Sequence, residues 1–459
     1  MSDELDFSSV TFLAESISTR KLSSVEVTSA FLKRIDEVNP ALNAVVQLAA
    51  DRALDEAGAA DRALARGESH GALHGVPMTI KDSFDTAGVI STGGTKGRIA
   101  FVPERDATVV ARLREAGAIL MGKTNTPELT LSYDTNNLIY GRTNNPYDLG
   151  RSPGGSSGGA VAILAAGGTP FDIGSDYGGS IRLPSHCCGT AGIKPTSGRV
   201  PRTGHIFPFG GVLDSFQQIG PLARFVDDLA YLLPILSGPD GIDPMIVPVP
   251  LRDPKAVDIG ALRVAFHTDN GILTPTPETA ETVRAAARAL EGAGAHVEET
   301  RPTGIEATYE IITGLWSADG GASTRRLLGE AGTEETSLDV GSADQAYSAG
   351  ERDALHHRWD SFRSSMLAFL EDWDVILSPV SASPALTHGE SMGPGLTRYS
   401  YTMTYNLTGW PAAVVRGGTS PDELPIGVQV IAHPWREDVA LAVAGHLEDA
   451  LGGFRRPAL

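Results

Sequence analysis

The sequence predicts an α/β fold in which a largely parallel or mixed β-sheet is covered by helices. Two features carry that reading. Short apolar runs of strand length alternate with longer segments whose apolar residues recur at helical spacing, the pattern of a layered sheet-and-helix protein. Hydrophobic residues make up 41% of the 459 positions, enough for a sizeable core, while no apolar run approaches the roughly 20 residues needed to span a bilayer. This length accommodates two or three average domains or a single large one.

The elements follow in chain order. Ser23 and Glu26 form a capping box that starts a helix, and Val27, Phe31, Ile35 and Val38 mark its buried face. The Ala/Asp/Arg-rich residues 51–66 are a second helix. Residues 76–80 read as a short buried strand, with Lys81 and Asp82 at its carboxyl end. A helix from residue 106 through 113 leads into a strand at 118–121. The polar stretch 143–153 contains no apolar strand; a short helix follows at 160–166, and 171–173 is the next apolar run. The Pro/Asp/Gly-rich segment around residues 235–260 marks a boundary or a long surface connection. Beyond it the αβ pattern resumes, with a strand at 263–266 and Thr276-Pro277-Glu278 opening a helix to 290. Strands at 374–379 and 426–431 and a closing helix at 436–451 complete it. There is no internal repeat and no low-complexity tract.

Charge and cysteine usage narrow the function. A net charge of −19, from 37 basic and 56 acidic residues, argues against nucleic acid or an anionic membrane as partner. The start MSDELDFSSV is acidic and polar, unlike a secretory signal. The only cysteines, Cys187 and Cys188, are adjacent, and neither a CxxC pair nor an HExxH motif suggests zinc. The expectation is a cytoplasmic protein without metal or cofactor.

The chemistry concentrates in residues 152–185, SPGGSSGGAVAILAAGGTPFDIGSDYGGSIRLPS, where two glycine–serine clusters flank one apolar run. GGSSG at 154–158 satisfies the G-x-S-x-G pattern, but that motif requires a strand running into the turn, and a loop precedes it here. A Walker-type phosphate loop is excluded within this stretch because no Gly-Lys-Ser/Thr follows its glycines. None of the eleven histidines sits in a context that marks a general base. A serine activated by a neutral, desolvated lysine remains, and Lys81, ending an apolar strand, suits that role.

GVPMTIKDSFDTAG around Lys81, SPGGSSGGAVA around Ser156 and SDYGGSIRLPS around Ser180 together resemble the amidase signature family of hydrolases. The resemblance continues through GIKPTSGRVPRTG to LPIGVQVIAHPWRED and covers nearly the whole chain. It implies one large domain over residues 1–459 with a central twisted mixed sheet covered by helices on both faces. Within that domain a helical part spans about 1–70, the signature core about 71–235, and a C-terminal α/β part about 260–459.

The resemblance also implies roles. Ser180 would be the nucleophile, Ser156 the proton relay and Lys81 the base, with a cis bond between Gly155 and Ser156. The oxyanion hole would come from the backbone N–H groups of Tyr177, Gly178, Gly179 and Ser180. Asp176 and Arg182 match positions that support the loop, while Ser157 either joins the catalytic core or simply starts the helix. Tyr177 stands where many family members carry a smaller residue. Tyr133, Tyr140, Ile206, Phe207, Phe209, Trp316 and Trp410 are candidates for a mainly apolar pocket.

The implied enzyme cleaves neutral aryl or alkyl amides, with esters and carbamates as further substrates, through an acyl- or carbamoyl-enzyme. It would act as a monomer or homodimer. The competing reading is the glutaminase subunit of a tRNA-dependent amidotransferase. Against it, Leu183 stands where such subunits often carry glutamine after Ser-Ile-Arg.

Overall fold

Side chains alternate along a strand, so a sheet buried on both faces must feed two separate apolar layers. The central strands do so. Val375 and Leu377, Ala413 and Val415, and Val428 and Val430 belong to one hydrophobic cluster, whereas Ile376, Ala412 and Ile431 belong to another. The computed structural model describes residues 5–211 and 216–459, the side chain of Pro394 excepted.

A small sheet is built from β1 (Val45–Leu48), β2 (Pro77–Lys81) and β3 (Ile119–Thr124), in the order β1-β3-β2, and β4 (Asn136–Asn137) pairs with β5 (Gly141–Arg142) in a short ribbon. The main sheet contains β6 (Phe171–Asp176), β7 (Ala191–Lys194), β8 (Gln218–Ala223), β9 (Arg263–Phe266), β10 (His296–Glu299), β11 (Val375–Pro379), β12 (Ala412–Thr419) and β13 (Pro425–Ala432). Its order is β10-β9-β11-β13-β12-β7-β8-β6. The pairs β9/β10 and β9/β11 are parallel and the others antiparallel. The sheet is therefore mixed, as expected.

Residues 235–260 resolve as a surface connection. Strand β7, before this segment, pairs with β12, after it, so one sheet runs through both halves. The capping box at Ser23 and Glu26 is present, and Val27, Phe31, Ile35 and Val38 are buried. Several elements escape the sequence reading, among them the helices Thr308–Ser317, Ala322–Ala331 and Ala349–Phe369. In the last, only Leu355, Phe362 and Met366 are buried, too sparse a set to form an apolar stripe.

Asp172 on β6 ties the two sheets together. Its carboxylate accepts from Thr79 Oγ1 at 2.7 Å, Thr124 Oγ1 at 3.0 Å and the Lys81 N–H at 2.9 Å. It thereby fixes the end of β2, which carries Lys81, against the start of β6, the strand that also carries Ser175 and Asp176.

Candidate active site

Lys81 is fully buried at the end of β2. Its Nζ lies 2.7 Å from Ser156 Oγ, 2.9 Å from Ser157 Oγ and 3.0 Å from Ser175 Oγ. Burial, opposed by the charges of Asp172 and Asp176, lowers its pKa from 10.5 to about 7. A desolvated ammonium is costly, so the free amine becomes accessible near neutral pH.

Two other lysines, Lys123 and Lys194, are equally buried. Their partners differ. Lys194 Nζ donates to the carbonyls of Pro195 and Trp410, and Lys123 Nζ to the Phe84 carbonyl and the Thr86 and Ser91 hydroxyls. Each of the two thus has a carbonyl partner, which only accepts, whereas all three partners of Lys81 are hydroxyls, which both accept and donate and so suit either protonation state.

The first glycine–serine cluster is a bend entering the helix Gly158–Ala165. The Gly155–Ser156 peptide bond is cis. Gly155 is required here because a Cβ would come within 2.8 Å of the backbone at Ser132–Asp134. Ser157 occupies the N-cap position, yet its side chain caps no helix N–H; its hydroxyl serves Lys81 instead.

The second cluster turns from β6 into the helix Arg182–Cys188. Asp176 accepts from the N–H groups of Gly179 at 2.9 Å and Ile181 at 3.1 Å. It also forms a two-pronged ion pair with Arg182, at 3.0 Å to Nε and 2.8 Å to Nη2, both side chains fully buried. Burial alone would raise the Asp176 pKa, but the Arg182 guanidinium and the hydrogen bonds around it hold it at about 2. Arg182 also reaches the Thr402 carbonyl, Gln429 and Asn406, pinning the turn to the C-terminal half.

The Gly179 N–H is thus engaged by Asp176, which corrects its expected place among oxyanion donors. The N–H groups of Gly178 and Ser180 make no hydrogen bond to any described residue. The Gly178 carbonyl is held by Tyr133 Oη at 3.0 Å and Thr402 Oγ1 at 2.8 Å.

Ser180 lines a cavity of about 260 Å³ together with Tyr133, Tyr177, Gly178, Phe207 and Trp316. Lys81, Ser156 and Ser157 are not among its lining residues. The Tyr177 ring stacks on Trp316 at 5.2 Å and 17° and leans on Phe207 at 5.7 Å. Four sequence candidates fall outside the cavity. Tyr140 hydrogen-bonds Gln47, and Trp410 is core, with its carbonyl holding Lys194. Ile206 and Phe209 face other grooves, and of this run Phe207 alone lines the cavity.

Ser175, His205 and Gln217 are absent from the sequence reading. His205 Nε2 lies 3.0 Å from Ser175 Oγ, and its Nδ1 meets the Phe207 N–H at 3.1 Å and Gln217 Nε2 at 2.7 Å. Only the GSD run ahead of Ser180 offered a signal, for Ser175.

Two solved structures that share this architecture are hydrolases. The fold superposes with a TM-score of 0.87 on a 6-aminohexanoate cyclic dimer hydrolase complexed with substrate, at 30% identity over 98% of each chain. It also matches a bacterial aryl acylamidase of the amidase signature family, with a TM-score of 0.85 and 27% identity over 97% of this chain and 96% of that one. An acylamidase of Rhodococcus erythropolis is 35% identical, covering 97% of this chain and 95% of its own length. A glutamyl-tRNA(Gln) amidotransferase subunit of Alkaliphilus metalliredigens is 36% identical over 94% of each. The amidase family model matches residues 26–441. The chain belongs to the amidase family, and is a hydrolase of amide C–N bonds.

Proposed function

We propose that Ser180 is the nucleophile of this hydrolase, with Lys81 as base and Ser156 as the relay between them. Lys81 as the free amine takes a proton from Ser156, which takes that of Ser180 as Ser180 Oγ attacks the amide carbonyl. The N–H groups of Gly178 and Ser180 stabilise the oxyanion, and collapse breaks the C–N bond, the amine leaving with the proton returned through Ser156. Water then hydrolyses the acyl-enzyme by the reverse relay. The observation that carries this reading is the buried Lys81, ringed by three hydroxyls and poised at about 7.

The substrates are neutral aryl and alkyl amides, with esters and carbamates following the same path. The aromatic wall of Tyr133, Tyr177, Phe207 and Trp316 supports this, and Asp339, the one charged group among the described lining residues, disfavours anionic substrates. The net charge of −19 disfavours nucleic-acid and anionic-membrane partners, and the proposal places the enzyme in the cytoplasm as a monomer or homodimer. Ser180→Ala and Lys81→Ala should each abolish turnover across a panel of amides, anilides, esters and carbamates while leaving the fold intact. Full activity in Ser180→Ala would overturn the assignment.

The identity to the amidotransferase chain favours a second reading, a glutaminase working in a complex. Glutamine hydrolysis that appears only with co-purified partner subunits would establish it in place of the first.

A further inference from the structure

The described lining of the Ser180 cavity is aliphatic, aromatic and hydroxyl-bearing, with one charged exception, Asp339. Asp339 Oδ1 accepts from the Gly341 N–H at 3.1 Å, the bond of a local turn. Its Oδ2 makes no hydrogen bond to any described residue, and no described cation pairs with the carboxylate.

The segment that carries Asp339 is fastened on both sides. Before it, the buried Glu128 carboxylate accepts from Thr336 Oγ1 at 2.8 Å and from the Ser337 N–H and Oγ at 2.8 and 2.9 Å. After it, Arg325 Nη1 donates to the carbonyls of Val340 at 2.7 Å and Gly341 at 3.0 Å, and to that of Gly320 at 2.8 Å. Arg325 is thus engaged by carbonyls, and Asp339 stays at the cavity with its charge uncompensated.

We propose that Asp339 is a specificity-determining residue: among amide substrates it selects those carrying an ammonium group on the part that fills this cavity. The proposal rests on the reading of the Ser180 cavity as the substrate site and extends it beyond uncharged amides. An alkyl or aryl group crowding Oδ2 displaces part of its water and offers no donor in return, which is unfavourable for a polar oxygen. An ammonium supplies the donor and the opposite charge together. The wall of Tyr133, Tyr177, Phe207 and Trp316 packs the methylene chain that leads to it. Asp339 is exposed, so water screens the pair and limits its worth to about three- to fivefold in kcat/KM.

The test uses two series of anilides, each cationic member paired with the isostere in which methyl replaces ammonium. The cation stands at the end of the acyl chain in one series and on an alkyl arm of the aniline ring in the other, so either part can enter the cavity. At about pH 8.5 a primary ammonium keeps its proton while Lys81, at about 7, has lost its own. In one series the kcat/KM ratio of cationic to uncharged substrate should be about three- to fivefold higher in the wild-type enzyme than in Asp339→Asn. Asparagine keeps the acceptor for the Gly341 N–H, so the turn survives. Asp339→Lys should lower the ratio further, and raising NaCl from about 0.05 to 0.5 M should shrink the wild-type preference. A ratio that is the same in all three proteins in both series would overturn the inference, as would a preference indifferent to salt. Turnover surviving in Ser180→Ala would instead overturn the reading of the site as a whole.

Discussion

Replacing Lys81 with methionine should abolish turnover and make the protein more stable at pH 7 but less stable at pH 10. Methionine fills a similar volume without a charge. The folded lysine titrates at about 7 and its ordinary value is 10.5. Because the folded value is the lower one, the unfolded chain holds the extra proton between those limits, and stability rises with pH across that window. The imbalance costs the folded protein about 4 kcal/mol at pH 7 and about 1 kcal/mol at pH 10.

Methionine removes this cost but also the contacts to Ser156, Ser157 and Ser175, worth about 1 kcal/mol each. The expected result is a gain of about 1 kcal/mol at pH 7 and a loss of about 2 kcal/mol at pH 10. Urea denaturation of both proteins at both pH values gives the double difference, about 3 kcal/mol. Lys123 and Lys194 titrate identically in the two proteins and cancel. A double difference near zero would refute the claim that burial holds Lys81 near neutrality.

Four further outcomes follow from the same geometry. In the intact enzyme kcat/KM should rise through about pH 7 as Lys81 loses its proton; a flat profile from pH 5 to 9 would contradict it. Arg182→Met strands the buried Asp176 carboxylate, so chemical denaturation should register a loss of about 3–5 kcal/mol, and Arg182→Lys, lacking the fork, should recover little of it. Gly178→Ala would bring a Cβ within 2.4 Å of Tyr133 Oη, so the loop must shift and kcat should fall about a hundredfold, as for one lost oxyanion donor. Trp316→Ala removes the stack on Tyr177 and should lower kcat/KM for aryl amides up to tenfold more than for alkyl amides.

Local signals in the sequence were strong wherever one segment carries its own instruction. The capping box at Ser23, the strand ending in Lys81 and the strand Arg263–Phe266 all form as the sequence suggests. The three motif blocks were likewise legible, because glycines with close backbone neighbours and serines at fixed positions recur locally. Positions set by contact across the fold were not. His205 belongs to the site through a turn whose only mark is a Gly-His step, and no spacing links it to Ser175. Lys123 and Lys194 look like ordinary lysines until neighbouring strands enclose them. The aromatic candidates divide for the same reason: hydrophobicity predicts burial but not which face is buried, so Phe207 enters the cavity while Ile206 and Phe209 do not.

The central claim is that Ser180 carries the acyl group during turnover. Incubating the enzyme with an activated ester of a neutral aryl acid, quenching in acid and mapping peptides by mass spectrometry tests it directly. The account predicts one acyl group on Ser180, and none in Lys81→Met. An acyl group on another residue, or turnover with no adduct in the wild-type enzyme or in one slowed below pH 7, would contradict it.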